Sequence, residues 1–200
     1  MGLNIRSSYD SFRELRENDS FYVDKTAMLE EFLVRRFDKA VLFTRPRRFG
    51  KTMTMTMFRD FLDVRQDSRD IFDGLEIMNH PQVVEKYMNK YPVVFISLKE
   101  VFGDSFEDVQ TFFVNLISTV CKSLTYLIDS DKVDSADKTV FENLRYRKGS
   151  VSDSLECLSL IARMLHDHHD KPAFIIIDEY DVPMAKALDK PYYDKVRDMI

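Results

Sequence analysis

Eight residues, Arg45-Pro46-Arg47-Arg48-Phe49-Gly50-Lys51-Thr52, stand between a short apolar run, Ala40 to Phe43, and a segment of helical apolar spacing that starts near Lys51. A strand that turns sharply into a helix offers a phosphate chain a ring of backbone N–H groups and the positive end of the helix dipole. A lysine at the helix start adds a full charge, and the hydroxyl of a following Ser or Thr reaches Mg²⁺. The usual Gly-x-x-x-x-Gly-Lys-Ser/Thr pattern has glycine first, where this chain has Arg45, so the turn must form without that glycine's conformational freedom. The candidate phosphate and nucleotide contacts are Arg45, Arg47, Arg48, Phe49, Gly50, Lys51, Thr52 and Met53, with Thr52 also directed at the metal. The plainer reading is a surface loop with three solvated arginines, because a Gly-Lys-Thr triplet also arises by chance.

A second constellation lies far downstream. Phe174-Ile175-Ile176-Ile177 runs into Asp178-Glu179, four apolar residues followed by two adjacent carboxylates. Neighbouring carboxylates at a strand tip repel each other, and a bound cation is the natural compensation. In P-loop ATPases the first carboxylate organises the Mg²⁺ shell and the second polarises the attacking water. Open α/β sheets bind ligands at the carboxyl ends of their strands, where both constellations would fall. A capping Asp beside a solvated Glu is the competing explanation.

The elements that must position these residues follow from apolar periodicity. The sequence predicts a helix over about Lys25 to Phe37, capped by Asp24, with Val23 and Met28 spaced as a hydrophobic staple. A buried strand over Ala40 to Phe43 and a helix from Lys51 to about Val64 flank the loop; the alternation of Met53, Met55 and Met57 with threonines looks locally like a strand. A turn at Asp73-Gly74 and a short helix opened by Pro81 come next. A buried strand over Val93 to Leu98 and a helix over Phe106 to Ile128 follow. Asp129 to Lys138 reads as an exposed polar loop. A helix over Asp153 to His168 has Asp153 and Glu156 spaced as a capping box, and Ala173 to Ile177 is the most hydrophobic strand. Continuous apolar strands separated by helices mean a parallel sheet with helices on both faces. One domain over 1–200 is the simplest organisation, with a lead-in of about 1–39 and a core of about 40–200.

Composition narrows the classes. At 44% hydrophobic and 32% charged the chain is a globular protein, and a net charge of -5 argues against general polyanion binding. Cys121 and Cys157 lie in apolar helical stretches and match no metal-ligand spacing, as expected of core residues in a reduced compartment. Met1 to Ser8 has no signal-peptide run and no stretch is long enough to span a membrane, so a cytoplasmic location is expected. His166, His168 and His169 sit at a predicted helix C-terminus, where cations are favoured without a metal. The arginines around Pro46 could contact phosphates, offer a nucleic acid a small basic patch, or pair locally.

Taken together, Asp24-Lys25-Thr26 in the run Phe21 to Thr26, Arg45 to Thr52, and Ile177-Asp178-Glu179-Tyr180-Asp181-Val182-Pro183 resemble the bacterial AAA-ATPase-like family. The likeness spans about Ile5 to Ala187, and Arg45 in place of the first glycine is that family's own habit. The resemblance implies an α/β, P-loop NTPase-type fold and an ATP and Mg²⁺ requirement. It implies Lys51 and Thr52 as phosphate and Mg²⁺ residues, Asp178 as the metal residue and Glu179 as general base. It places Asp24 and Lys25 near the adenine pocket, although helix capping explains them equally. Members often carry a restriction-endonuclease-like domain after the ATPase portion. Such ATPases also add a sensor strand after the acidic strand, and only Val182 to Ile200 follow Asp181 here. The expectation is therefore an incomplete, N-terminal portion of an AAA-like core, binding weakly and hydrolysing little by itself. Two further readings stay open: a non-catalytic, nucleotide-dependent interaction module, and a nucleic-acid-binding part of a defence or mobile-element protein.

Overall fold

The computed structural model of the protein describes residue 9 and residues 11–34, 40–44 and 49–200. The chain forms two compact units, Met1–Val93 and Val94–Ile200.

In the first unit, helix α1 (Phe12–Glu17) is capped by Ser11, whose side chain accepts from the Glu14 N–H. It packs on α3 (Lys51–Leu62), the central helix of this unit. Phe12, Phe61 and Phe72 meet there, with ring centroids 4.9 Å apart for Phe12–Phe72 and 5.3 Å for Phe61–Phe72. Such tilted and edge-on contacts add about 0.5–1.5 kcal/mol each beyond the buried area. The Met-Thr alternation after Lys51 is helical, and the threonines have a purpose. The Thr56 hydroxyl accepts the Phe12 N–H at 2.9 Å and donates to the Thr52 carbonyl at 2.9 Å, tying α1 to the first turn of α3.

Helix α2 spans Ala27–Val34, and α4 (Arg69–Phe72), a 3₁₀ turn over Glu76–Asn79 and α5 (Pro81–Tyr87) complete the unit. Pro81 opens α5 as expected, where its missing N–H costs nothing. Asn89, in the left-handed region at φ 52, closes the C-terminal end of α3. Its N–H donates to the Phe61 carbonyl, and its side-chain amide donates to the Asp60 and Asp63 carbonyls.

Asp60, fully buried on α3, accepts from Arg59 through Oδ1, while Oδ2 has no partner among the described residues. Burial pushes this carboxyl upward, against the pull of Arg59.

The second unit holds the sheet. Strand β1 (Val93–Ser97), which begins at the unit boundary, pairs in parallel with β2 (Phe174–Asp178). Between them run α6 (Phe106–Ser123), α7 (Ser135–Arg145) and α8 (Val151–His169), which pack on one another. Val94, Ile96, Ile117, Cys121, Leu127, Phe141, Cys157, Ile161 and Leu165 join in one buried cluster. Gly103 is required before α6: a Cβ there would stand 2.2 Å from that of Asp108, the residue that completes the capping box with Ser105. Helices α9 (Val182–Ala187) and α10 (Tyr193–Met199) follow β2, and the Tyr192 hydroxyl donates to the Gly103 carbonyl at 2.6 Å.

Several sequence expectations need correction. Ala40–Thr44 is not a strand, and Val41 and Leu42 are 40% and 64% exposed; four apolar residues make a strand only where another segment supplies a hydrogen-bonded ladder. Among the described residues the architecture is a helix-dominated α/β arrangement with a two-stranded parallel sheet flanked by helices. Strand β2 is not buried on both faces either: Ile175 and Ile177 are 38% and 36% exposed, while Asp178 points inward. Asp129 to Lys138 is partly α7, and α8 starts earlier, with Ser150 and Asp153 forming its capping box.

Candidate functional site

Gly50 caps the N-terminus of α3 with φ 75, a left-handed conformation that glycine adopts without penalty. The first bond of the helix is Thr54 N–H to the Gly50 carbonyl, at 2.9 Å. The N–H groups of Lys51, Thr52 and Met53 thus precede the helical ladder, and the dipole of a 12-residue helix points its positive end through them. Lys51, Thr52 and Met53 are all half-buried, and Phe49 is exposed. Neither Lys51 nor Thr52 has a side-chain partner among the described residues. Arg45, Arg47 and Arg48 lie outside those residues.

Lys25 also reaches this place, although nothing in its spacing from Gly50 announces it. A Cβ built on Gly50 would meet the Lys25 Nζ at 3.8 Å, so the ammonium lies against the cap of α3. The flanking residues explain how it is held. Asp24 Oδ1 accepts from the Thr26 N–H at 2.8 Å, and Oδ2 accepts from the Glu76 N–H at 2.7 Å. The fully buried Thr26 accepts the Ile77 N–H at 3.1 Å. Asp24 and Thr26 thus anchor the turn to the 3₁₀ segment and leave Lys25 projecting between them. The capping expected of Asp24 is met one step earlier than α2 itself, at the Thr26 amide.

Burial acts to raise the Asp24 carboxyl, but the hydrogen bonds from Glu76 and Thr26, with Arg16 nearby, outweigh it and hold the group below its ordinary value of 3.8. A depressed carboxyl stabilises the fold above its unfolded pKa, and that contribution disappears as pH falls through the folded value. Acidification between about pH 5 and pH 3 should therefore lower the thermal midpoint of the parent more steeply than that of Asp24→Asn. Parallel slopes in a pH series of melting curves would show that Asp24 does not latch this turn.

The second constellation is built on β2. Its last residue, Asp178, is 3% exposed, and its carbonyl accepts the Leu98 N–H at 3.0 Å. The Asp178 carboxylate has no protein donor among the described residues. Three residues on, Asp181 Oδ1 is buried and has no partner among the described residues. Buried carboxylate oxygens left without donors are costly, and hard oxygen ligands suit Mg²⁺. These donors fit a divalent cation that keeps most of its coordination for water and phosphate. No group of three or more His, Cys, Asp or Glu among the described residues could hold a metal alone.

Glu179 is half-buried at φ 53, a left-handed backbone that costs a residue with a Cβ about 1–2 kcal/mol. Strain of this kind collects at functional positions, and here it turns the chain between β2 and α9, with the Glu179 carbonyl accepting the Val182 N–H.

The remaining candidates resolve as structural. His168 Nδ1 lies 2.8 Å from the Ser130 hydroxyl and His169 Nε2 lies 2.9 Å from the Tyr126 hydroxyl, so both rings hold the C-terminal end of α8. Both cysteines are free and buried. No helix among the described residues is long and apolar enough to cross a membrane.

The described residues thus present two constellations, a glycine-capped helix start bearing Lys51 and Thr52, and a strand that ends in Asp178 with Glu179 after it. The chain belongs to the AAA-ATPase-like family, described as predicted AAA-ATPases, whose family model matches residues 6–200. Neither the curated proteins nor the solved structures contain a match. Family membership supports nucleotide binding and an ATPase assignment at the level of class.

Proposed function

We propose that this chain binds Mg-ATP, with Lys51 and the amides of the first turn of α3 receiving the phosphates, and that the bound nucleotide drives or gates a partner domain. The observation that carries this reading is the left-handed Gly50, which delivers Lys51 and three N–H groups outside the helical ladder to one helix start. Thr52 offers a hydroxyl and Asp178 a carboxylate as oxygen ligands to Mg²⁺, which when bound neutralises charge on the phosphates. Glu179 is the candidate general base, able to accept a proton from an attacking water. Arg45, Arg47 and Arg48 are further candidate phosphate contacts, with Phe49 and Met53 at the edge of the nucleotide. A nuclease-like partner domain enters this proposal through the family resemblance; nucleic-acid binding is a rival reading, motivated by Arg45, Arg47 and Arg48.

Isothermal titration with ATP, in the presence and absence of Mg²⁺, tests the reading directly. Saturable binding that tightens with Mg²⁺ is the expected result. The absence of binding at millimolar ATP with Mg²⁺ present would overturn it.

A further inference from the structure

We propose that Lys25 is a second phosphate-binding cation of this site, reaching the nucleotide from the Asp24-Lys25-Thr26 turn. The inference rests on the nucleotide reading above and adds a residue from outside the loop that gave rise to it.

Three observations converge on Lys25. Its ammonium lies against Gly50, at the cap of the helix that starts with Lys51. It forms no ion pair or side-chain hydrogen bond among the described residues, although it stands next to Asp24 in sequence. The Asp24 carboxylate is already engaged by the Glu76 and Thr26 amides and by the Thr26 hydroxyl, at 2.7, 2.8 and 2.7 Å. The turn itself is rigidly placed, because its two flanking side chains bind the consecutive amides of Glu76 and Ile77, and its own backbone continues into α2 through the Met28 N–H to the Lys25 carbonyl.

A lysine held this firmly by its neighbours and its own backbone, with an ammonium that has no partner among the described residues, is a cation positioned for something outside the protein. What it lies against carries the same sign, because Gly50 caps the positive end of α3. An ammonium group and a helix N-terminus in one place repel each other unless an anion stands between them. A polyphosphate carries enough charge to satisfy both, and a lysine meets phosphate as a compact point charge that needs no fixed bidentate geometry. The alternative, in which the Lys25 stem packs against adenine, predicts contact with the uncharged part of the nucleotide.

The experiment compares the parent chain with Lys25→Met, Lys25→Arg and Lys51→Ala. Each is titrated with Mg-ATP and, by competition, with inorganic tripolyphosphate, and each is melted without ligand. Lys25→Met should weaken both ligands by the same factor, about tenfold, with an unchanged apo melting temperature, and Lys25→Arg should recover most of the loss. Parent-like affinity in Lys25→Met beside a loss in Lys51→Ala overturns the role of Lys25 and leaves the nucleotide site standing. A loss confined to ATP, with tripolyphosphate unaffected, assigns Lys25 to the base or ribose and overturns the phosphate role. A fall in apo stability that Lys25→Arg does not rescue makes the residue structural. No change in either single variant removes the nucleotide reading, and this inference with it.

Discussion

Glu179→Gln should bind Mg-ATP as tightly as the parent chain while releasing phosphate about 10²- to 10⁴-fold more slowly, the range ascribed to a positioned general base. Glutamine keeps the shape and hydrogen-bonding reach of Glu179 and has no carboxylate to accept a proton. The substitution also leaves the unusual backbone in place, because Gln has the same left-handed penalty at φ 53 as Glu. Loss of turnover therefore reports the carboxylate and not the turn between β2 and α9. Steady-state phosphate release, paired with titration, separates the outcomes. Equal turnover in parent and variant removes Glu179 from catalysis. A parent that binds Mg-ATP and releases no phosphate identifies the non-hydrolysing interaction module.

Lys51→Ala should weaken Mg-ATP binding by about 2–3 kcal/mol, roughly 30- to 150-fold, the scale of a charge-assisted hydrogen bond lost from a site that still holds the anion. Lys51 is the first residue of α3, half-buried and without a side-chain partner among the described residues, so its removal breaks no internal bond among them. The packing of the helix depends on Met57, Phe58, Phe61 and Leu62, all buried at its far end. Alanine also favours the helix as much as lysine does or slightly more. An unchanged melting temperature with weakened affinity is the expected pair of results. Equal ATP affinities in calorimetry would show that the start of α3 is not the phosphate site.

The contrast between these two residues and the strands around them shows where the sequence was legible. Helices α3, α5, α6 and α8 have repeating buried positions or a clear start signal, and α3 with its Gly50-Lys51-Thr52 start could be read directly. Helix α7 could not, because Phe141 and Leu144 are its only buried residues and most of the others are polar. The capping-box spacing of Asp153 and Glu156 puts the start of α8 at Asp153, whereas it is the Ser150 hydroxyl that accepts the Asp153 amide. For Ala40–Phe43 the residues are those of a strand, but a strand is made by its neighbour. The four apolar residues of β2 hide a period of two, so the open face bearing Ile175 and Ile177 left no trace in composition. Lys25 is the corresponding case within the site. Its approach to Gly50 depends on Asp24 and Thr26 finding the amides of Glu76 and Ile77, a tertiary match about fifty residues away that no local pattern encodes.

The two cysteines give the second unit an internal clock. Cys121 and Cys157 are the chain's whole complement of thiols, both within Val94–Ile200 and both at 0% exposure. Burial pushes each thiol up to about 12, so at neutral pH almost none is in the reactive thiolate form while the helices stay closed. An alkylating reagent can reach them only when α6 and α8 separate, and the modification rate then follows the population of that opened state. Lys25, Gly50 and Lys51 belong to the other unit, so they can be altered one at a time without changing the chemistry of the reporter. Labelling with and without ATP thus measures how far an event at the start of α3 alters the opening of a helical layer that contains none of the residues being mutated.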